Sequence, residues 1–333
     1  MSIQADVSAV ILAAGKGTRM KSNMPKVMHC LLGKPLIAHV MTMLERAGIR
    51  PDCQVIVVGH GGGIVKSYVS VSGARLVFQE QQLGTGHAVI CTREAFSGFH
   101  GNMLVVCGDS PLFHSKTIQR FVMAHQQSNA VVSVLTAELK DPAGYGRIIR
   151  NESGDVEGIV EEKDASVHQK EIGEINTGVY CLNSPEVFGL LQKLGCDNAQ
   201  GEYYLTDVVG IALRAGMPVH AFGYADEEES LGVNSRYQLA LAEHVLLKRI
   251  RQRHMDAGVT ISMPDTIYIE PEVEIGSDVT IGPHSVLRGQ TVIGESSVIG
   301  AFSFLEDFIC EPGSVIAPFT RHCQSKEKRI FCP

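Results

Sequence analysis

Residues 10–20 read Val-Ile-Leu-Ala-Ala-Gly-Lys-Gly-Thr-Arg-Met. The mostly apolar run from Val7 to Leu12 is typical of a strand that is buried on both faces. Gly15 and Gly17 stand one residue apart, so the backbone can turn sharply there and bring its N–H groups close to an anion. The stretch predicts a strand followed by a phosphate-binding loop, with a nucleoside triphosphate or diphosphate as the natural ligand.

Two better-known phosphate loops do not match this stretch. The Walker pattern requires Gly-x-x-x-x-Gly-Lys followed by Ser or Thr, and neither Gly15 nor Gly17 has that spacing. The dinucleotide fingerprint requires a third glycine where Met20 stands. A Gly-x-Gly pair alone is also compatible with a purely structural strand–turn–helix junction, so the following residues have to decide.

The residues after the loop favour the phosphate interpretation. Pro25-Lys26-Val27 follows within a few positions, and then comes Gly33-Lys34-Pro35. Arg19 and Lys26 add two cations near one loop, which suits the charge of phosphate groups. Together with residues 12–20, these segments resemble the signature of the sugar-1-phosphate nucleotidylyltransferases.

Length and composition bound the class of protein. A chain of 333 residues with 44% hydrophobic and 20% charged residues is long enough for two globular domains. The net charge of −7 argues against a broad contact with nucleic acid or an anionic membrane. Nine scattered cysteines without a Cys-x-x-Cys pair predict reduced thiols. No signal-like start or membrane-length apolar run occurs, so we expect a cytoplasmic protein.

Short apolar runs alternate with helical stretches from residue 7 to about residue 235. Further strands are expected at 55–58, 104–106 and 131–135, and helices at 35–47 and 115–127. This alternation predicts an α/β domain with a mostly parallel or mixed sheet. Ligands of such sheets bind beyond the carboxyl ends of the strands, which is where the loops after Leu12 and Val106 would lie.

Two polar segments follow predicted strands. Asp109 comes directly after an apolar strand, and one such carboxylate can suffice for magnesium when phosphates and waters supply the other ligands. Gly-Asp-Ser-Pro is equally a good turn composition. Residues 79–88 read Gln-Glu-Gln-Gln-Leu-Gly-Thr-Gly-His-Ala, and glutamine offers the donor and acceptor that suit the edge of a uracil ring. We interpret His87 as a packing residue of the following helix.

Four further segments follow in a fixed order: Gly144-Tyr145-Gly146-Arg147, residues 159–165, Glu174-Ile175-Asn176-Thr177-Gly178, and residues 201–207. With the opening motif they resemble the uridylyltransferase half of the bifunctional bacterial N-acetylglucosamine-1-phosphate enzymes of the GlmU family. The resemblance covers nearly all of residues 5–320. It implies a Rossmann-like nucleotidyltransferase domain that makes UDP-N-acetylglucosamine, a cell-wall precursor, and pyrophosphate from UTP and N-acetylglucosamine-1-phosphate.

The resemblance also implies a role for individual residues. The nucleotide and sugar would be bound by Leu12, Ala13, Ala14, Gly15, Gln79, Gly84, Thr85, Cys107, Gly108, Gly146, Glu161 and Asn176. Arg19 and Lys26 would act on the phosphates as the catalytic cations, and Asp109 with Asn234 would bind Mg²⁺. Cys107 stands where family members often carry Tyr, and we expect a modest loss of contact there.

The last third of the chain has a different pattern. Residues 236–258 predict a linker helix with an apolar face and a solvated basic face. Apolar residues then recur every six positions, which predicts a β-helix of hexapeptide repeats: Ile269, Ile275, Ile281, Leu287, Ile293, Ile299 and Leu305. The resemblance implies a left-handed coil. The period slips after Leu305, and the basic tail from Arg321 to Arg329 carries no hexads.

We therefore expect three parts: a nucleotidyltransferase domain (1–235), a linker helix (236–258) and a shortened β-helix with its tail (259–333). The open, partly apolar β-helix predicts self-association, and the resemblance implies a homotrimer. Because the sequence stops at Pro333, before the family's acetyltransferase motifs, we expect no acetyltransferase activity. Two alternatives remain: a uridylyl- or thymidylyltransferase for another sugar-1-phosphate, and a non-catalytic protein that binds sugar nucleotides or serves in assembly.

Overall fold

The computed structural model describes residues 6–59 and 62–323. These residues fall into two compact units. The first contains the chain up to Met28 and from Leu36 to Ser235, and the second contains His29–Pro35 and the chain from Arg236 onward. The boundaries at residues 235 and 258, which separate the expected nucleotidyltransferase domain, linker helix and β-helix, stay a prediction. Part of the basic tail expected after Arg321, from residue 324, lies outside the described residues.

The elements up to residue 235 are short strands and helices in alternation, with 3₁₀ turns at Thr18–Met20, Lys26–Met28 and Pro51–Cys53. The strands are β1 (Val7–Ala13), β2 (Cys30–Leu31), β3 (Lys34–Pro35), β4 (Gln54–Val58), β5 (Arg75–Phe78), β6 (Gly101–Cys107), β7 (Val132–Glu138), β8 (Gly146–Arg150), β9 (Val156–Val160), β10 (Glu174–Ser184) and β11 (Val219–Phe222). The helices are α1 (Leu36–Ala47), α2 (Gly63–Val69), α3 (Thr85–Ile90), α4 (Ser115–Ser128), α5 (Val167–Lys170), α6 (Glu186–Leu191) and α7 (Asp207–Arg214).

The described residues of the first unit form a nine-stranded mixed sheet. Its order is β11-β7-β10-β6-β1-β4-β5, with β8 paired to β10 and β9 paired to β8. The central strands β6, β1, β4 and β5 run parallel, whereas β10 runs antiparallel to β6 and β7. This arrangement confirms the predicted α/β domain with a mixed sheet.

The sheet brings three of the predicted loops to one edge. Leu12 of β1 lies beside Val57 of β4 and Cys107 of β6, so these parallel strands end together. The residues that follow them therefore share the carboxyl edge of the sheet, where ligands of such sheets bind. Strands β1 and β4 are almost wholly buried, as their continuous apolar sequences predict.

The second unit contains helix α8 (Arg236–Asp256) and a stack of very short strands. The strands are β12 (Thr260–Ile261), β13 (Tyr268–Ile269), β14 (Glu274–Ile275), β15 (Thr280–Ile281), β16 (Val286–Arg288), β17 (Val292–Ile293), β18 (Val298–Ile299), β19 (Phe304–Glu306), β20 (Ile309–Cys310), β21 (Val315–Ile316) and β22 (Arg321–Cys323). The strands pair in parallel to form three sheets, β12-β15-β18-β21, β13-β16-β19-β22 and β14-β17-β20.

The six-residue period produces these three sheets. Ile269, Leu287 and Leu305 lie above one another, because three hexads complete one coil. Their side chains are buried, as the repeat predicts, and the left-handed β-helix of hexapeptide repeats is confirmed. In the last described coil the pairing is Val292 with Ile309 and Phe304 with Arg321, one residue short of the earlier spacing. The slip after Leu305 thus shortens one coil, and the pairing continues to Cys323.

Helix α8 buries Ala242, Ile250 and His254 within the second unit, where α8 packs against β12 and β13. The basic face of α8 is expected to be solvated, and this expectation is wrong for Arg251, which is only 3% exposed. The Arg251 guanidinium donates to the Pro264 carbonyl and forms an ion pair with Asp265. A buried arginine that pairs in this way fixes α8 to the first coil.

Within the described part of the chain, none of the helices combines the length and the apolar content that crossing a membrane requires. Among residues 6–59 and 62–323, seven cysteines are free thiols: Cys53, Cys91, Cys107, Cys181, Cys196, Cys310 and Cys323. Cys30 is disulfide-bonded, so the expectation of reduced thiols is wrong at that residue.

Candidate active site

A pocket of about 850 Å³ opens at the carboxyl edge of the first unit's sheet. Thirteen of the predicted site residues line it: Leu12, Ala13, Ala14, Gly15, Arg19, Lys26, Gln79, Gly84, Thr85, Cys107, Asp109, Glu161 and Asn234. They come from segments spread over more than 200 positions of the chain. The fold therefore brings together most of the residues that the motifs singled out separately.

The loop after β1 is shaped by its second glycine. Gly17 has a φ of +59°, and a Cβ atom there would lie 2.8 Å from Cβ of Lys26. Glycine thus satisfies both the left-handed backbone and the close approach of Lys26. Around Gly15, by contrast, an added Cβ would meet no atom within 4 Å, so this side of the loop is open to the pocket.

Lys26, Asp109 and Asn234 converge at one end of this loop. The Lys26 ammonium forms an ion pair with the Asp109 carboxylate and donates to Asn234 Oδ1 at 2.9 Å. The Lys26 and Asp109 side chains are 16% and 15% exposed, respectively. The Val233 N–H donates to the Asp109 carbonyl at 2.8 Å, so backbone pairing holds Asn234 beside the end of β6.

This arrangement fits a divalent cation. The Asp109 carboxylate and the Asn234 amide oxygen already share a cation, the Lys26 ammonium, which shows that both oxygens face one point. Hard oxygen donors suit Mg²⁺, which commonly takes one or two protein oxygens and fills its remaining positions with phosphates and waters. Among residues 6–59 and 62–323, no three His, Cys, Asp or Glu side chains lie together as metal ligands. A metal here would therefore take its remaining ligands from a bound phosphate and from water.

A second group of lining residues consists of Gln79, directly after β5, and the loop that leads into α3. Gln79 is 3% exposed, and its Nε2 donates to the Gly84 carbonyl at 3.0 Å. Gly84 has a φ of +112°, and a Cβ there would lie 2.6 Å from the Tyr203 carbonyl oxygen, so only glycine fits. The Leu205 N–H donates to Thr85 Oγ1 at 3.1 Å. The two segments therefore form one rigid wall.

Glu161 also lines the pocket. Thr206 Oγ1 donates to Glu161 Oε1 at 3.1 Å, while burial raises the pKa of the Glu161 carboxyl. Gly108, Gly146 and Asn176 are not among the described lining residues. Gly146 lies opposite Asn176 across β8 and β10, and the Asn176 amide donates to Tyr180 Oη at 2.7 Å.

Cys107 ends β6 and lines the pocket with its thiol. Burial raises the pKa of that thiol to about 12, and the neighbouring Asp109 carboxylate acts in the same direction. The Sγ atom lies 3.9 Å from the Gly178 carbonyl oxygen, too weak a contact to activate it. Cys107 is therefore a neutral, small wall of the pocket and not a nucleophile.

The pocket has further polar lining residues that the sequence reasoning left without a role: Lys16, Thr18, Gln82, Glu162, Lys163, Gln200 and Glu202. Most of them belong to the segments already quoted, so their position in those motifs was the available signal. Gln82 donates to the Ala14 carbonyl, and this hydrogen bond connects the segment of residues 79–88 to the glycine loop after β1. Arg147 is 1% exposed and pairs with Glu162 at 2.8 Å, which fixes one wall of the pocket.

Comparison with known families agrees with this architecture. Residues 9–202 match the family described as the MobA-like NTP transferase domain. Residues 269–307 match the bacterial transferase hexapeptide family with its six repeats. The first match spans more than half of the chain and contains most of the pocket.

Curated relatives extend the comparison over nearly the whole chain. The chain is 47% identical to the bifunctional protein GlmU of Syntrophotalea carbinolica over 319 residues, and this alignment covers 93% of the chain and 68% of the relative. It is 47% identical over 301 residues to the corresponding protein of Halalkalibacterium halodurans, with coverages of 90% and 65%. The chain thus spans about two thirds of the length of these relatives.

A solved structure shares the fold. The structure of a UDP-glucose pyrophosphorylase complexed with UDP-glucose matches with a TM-score of 0.58 at 21% identity, over 73% of this chain and 98% of that one. The motifs, the mixed sheet with its pocket, the hexapeptide coils and the relatives agree, and the chain belongs to the GlmU family of nucleotidyltransferases.

Proposed function

We propose that this chain transfers the uridylyl group of UTP to N-acetylglucosamine-1-phosphate, with Mg²⁺ as cofactor. The products are UDP-N-acetylglucosamine, a cell-wall precursor, and pyrophosphate. The observation that carries the proposal is the convergence of Lys26, Asp109 and Asn234 beside the glycine loop, in a pocket that Gln79 also lines.

The reaction requires alignment more than acid–base chemistry. A sugar phosphate is largely ionised at neutral pH, so its oxygen can attack the α-phosphorus of UTP without a base. A new P–O bond forms to that phosphorus, while its bond to the bridging oxygen breaks and the electron pair leaves with pyrophosphate. The protein has to hold both reactants in line and to neutralise the charge that collects on the leaving group.

The residues at the loop suit that task. Gly15 leaves open space beside backbone N–H groups, and the Arg19 and Lys26 side chains bring positive charge to the same end of the pocket. Cations that are fixed before the reaction stabilise developing negative charge without reorganisation. Asp109 and Asn234 would hold Mg²⁺, which supplies Lewis-acid stabilisation of phosphate charge when bound.

The far end of the pocket suits the base and the sugar. Gln79 with the Gly84 and Thr85 backbone would bind the uracil ring, and Glu161 would accept a hydrogen bond from a sugar hydroxyl or amide. Gly146 and Asn176 remain proposed contacts of the N-acetylglucosamine part, which would have to reach beyond the residues that line the pocket.

Kinetics of pyrophosphate release test the proposal. With UTP, N-acetylglucosamine-1-phosphate and Mg²⁺, we expect Lys26→Ala and Asp109→Asn to lower kcat by about 100-fold or more, because the first removes a cation that would stabilise phosphate charge and the second removes the carboxylate that would bind Mg²⁺. The matched control is Lys66→Ala, at an exposed position of α2 outside the pocket. A folded Lys26→Ala variant that turns over at the wild-type rate would refute the assignment.

Substrate identity is tested separately. The same assay with glucose-1-phosphate, and with dTTP in place of UTP, distinguishes the proposed reaction from a transferase for another sugar or nucleotide. We expect the highest kcat/KM for UTP with N-acetylglucosamine-1-phosphate. Binding of the sugar nucleotide without any turnover would favour the non-catalytic alternative.

We also propose that the chain assembles as a homotrimer through its β-helix and acts in the cytoplasm. Outward-facing apolar side chains support the first proposal, since Val298, Ile309 and Val315 are 41%, 71% and 76% exposed. Light scattering coupled to size exclusion measures the mass directly, and a monomer would contradict the trimer. Of the eight cysteines in the described residues, seven are free and Cys30 is disulfide-bonded, and the predominance of free thiols supports a reducing compartment.

A further inference from the structure

The amide group of Gln79 is held in one orientation. Its Nε2 lies 3.0 Å from the Gly84 carbonyl oxygen and 3.0 Å from Nδ1 of His87. A carbonyl oxygen can only accept, so the nitrogen end of the amide must face Gly84. The second amide hydrogen is then donated to His87, whose Nδ1 accepts while Nε2 carries the ring proton.

His87 is itself fixed by its surroundings. It belongs to α3, which follows the Gly84 turn, and its ring packs beside Tyr203 with centroids 6.3 Å apart. The Cys91 Sγ atom, one turn later in α3, lies 3.9 Å from the His87 ring. The ring therefore presents Nδ1 to Gln79 as a preformed acceptor.

One polar atom of Gln79 is left for a ligand. Both hydrogens of Nε2 are used, and among the described residues no donor contacts Oε1. Gln79 is nearly buried and yet lines the pocket. The pocket thus offers a fixed acceptor at the end where the proposed function binds the base.

A fixed acceptor distinguishes between pyrimidines. Uracil and thymine carry an N–H at ring position 3, whereas cytosine has a lone pair there. An acceptor that can rotate would present its NH₂ group to cytosine instead, since the two ends of a glutamine amide have nearly the same shape. Fixing the amide removes that choice, and a buried acceptor facing a lone pair is unfavourable.

We infer that His87 is a positioning residue that, together with the Gly84 carbonyl, fixes the Gln79 amide and so makes the pocket select UTP over CTP. This inference rests on the proposed function, because it assumes that the base binds beside Gln79. It assigns His87 a role other than packing, without contact to the reacting atoms.

Calorimetric titration of UTP and of CTP in the presence of Mg²⁺ tests the inference. In His87→Leu we expect the ratio of the two affinities to fall by about tenfold, mainly through stronger CTP binding, because the released amide can turn its NH₂ group towards cytosine; the change is about the size of one hydrogen bond. In His87→Asn we expect most of the ratio to return, because Asn Oδ1 can accept near the position of Nδ1. Thermal unfolding shows whether each variant is folded, and His87→Phe, which also lacks the acceptor, replaces the leucine variant if that one is unfolded.

His100→Leu is the matched control, since His100 is an exposed histidine of the same unit outside the pocket, and its ratio should equal that of the wild type. The inference is overturned if the wild type does not prefer UTP or if the acceptor-free variants keep the wild-type ratio. It is equally overturned if they weaken both nucleotides alike, as a packing role predicts. Turnover of the wild type is scored separately: selective binding that depends on His87 without pyrophosphate release would refute the proposed function and retain the inference.

Discussion

Replacing Gly17 by alanine tests how the glycine loop positions Lys26. Gly17 adopts a φ of +59°, where an L-residue is disfavoured, and the added Cβ would lie 2.8 Å from Cβ and 3.6 Å from Cα of Lys26. Carbon atoms in contact prefer a separation of about 3.5–4.0 Å. The stem of Lys26 therefore has to move by roughly half an ångström or more, which disturbs its contacts with Asp109 and Asn234.

The two consequences have different magnitudes. The left-handed backbone costs about 1 kcal/mol in stability, which lowers Tm by about 2–4 °C in a chain of this size. Misplacing a catalytic group by about 1 Å can cost about 100-fold in rate, so a smaller shift of Lys26 should lower kcat by about tenfold. Turnover should thus suffer more than stability.

Gly98→Ala separates these effects. Gly98 has a φ of +75°, but an added Cβ there would meet no atom within 4 Å, and the residue lies outside the pocket. Both variants share the backbone cost, so their Tm values should be similar, while only Gly17→Ala should lose turnover in the pyrophosphate-release assay. Equal turnover in the two variants would show that the contact between Gly17 and Lys26 does not matter.

Two further variants test the walls of the pocket. Burial raises the pKa of Glu161, so its protonated form stabilises the fold fully below the ordinary Glu pKa of about 4.3, and this contribution is lost as pH rises through the folded-state value. Glu161→Gln should therefore raise Tm of the ligand-free protein near neutral pH, and this gain should disappear below about pH 4. The variant should also lower turnover. A Tm difference between variant and wild type that does not depend on pH would contradict this reasoning. Because the pKa of the Cys107 thiol is about 12, Cys107→Ser should keep turnover within about threefold, and alkylation by iodoacetamide should be slow at neutral pH. Rapid alkylation of Cys107 in the folded protein would disprove the neutral thiol.

Sequence patterns sufficed where a period or an uninterrupted apolar run determines the structure. The strand at Val7–Ala13, the helix at Leu36–Ala47 and the hexad columns at Ile269, Leu287 and Leu305 occur as predicted. In each case the spacing of the apolar residues matches the surface that is buried, on both faces of the strand and on one side of the helix and of each coil, so local spacing is enough.

Tertiary pairing decided the features that the patterns missed. Arg251 carries a charge that a helical wheel places in solvent, yet the Pro264 carbonyl and Asp265 give it partners that sequence spacing does not show. Gln82 donates to the Ala14 carbonyl across 68 positions of the chain, a contact that depends on strand order. Asn176 donates to Tyr180 Oη across a register shift in β10, and neither residue lines the pocket.

The most direct test of the central claim is ³¹P NMR of the wild-type chain mixed with UTP, N-acetylglucosamine-1-phosphate and Mg²⁺. We expect the sugar phosphate signal to disappear while the signals of a UDP-sugar and of pyrophosphate grow in equal amounts. Appearance of UDP and inorganic phosphate instead, or no change in any signal, would contradict uridylyl transfer by this pocket.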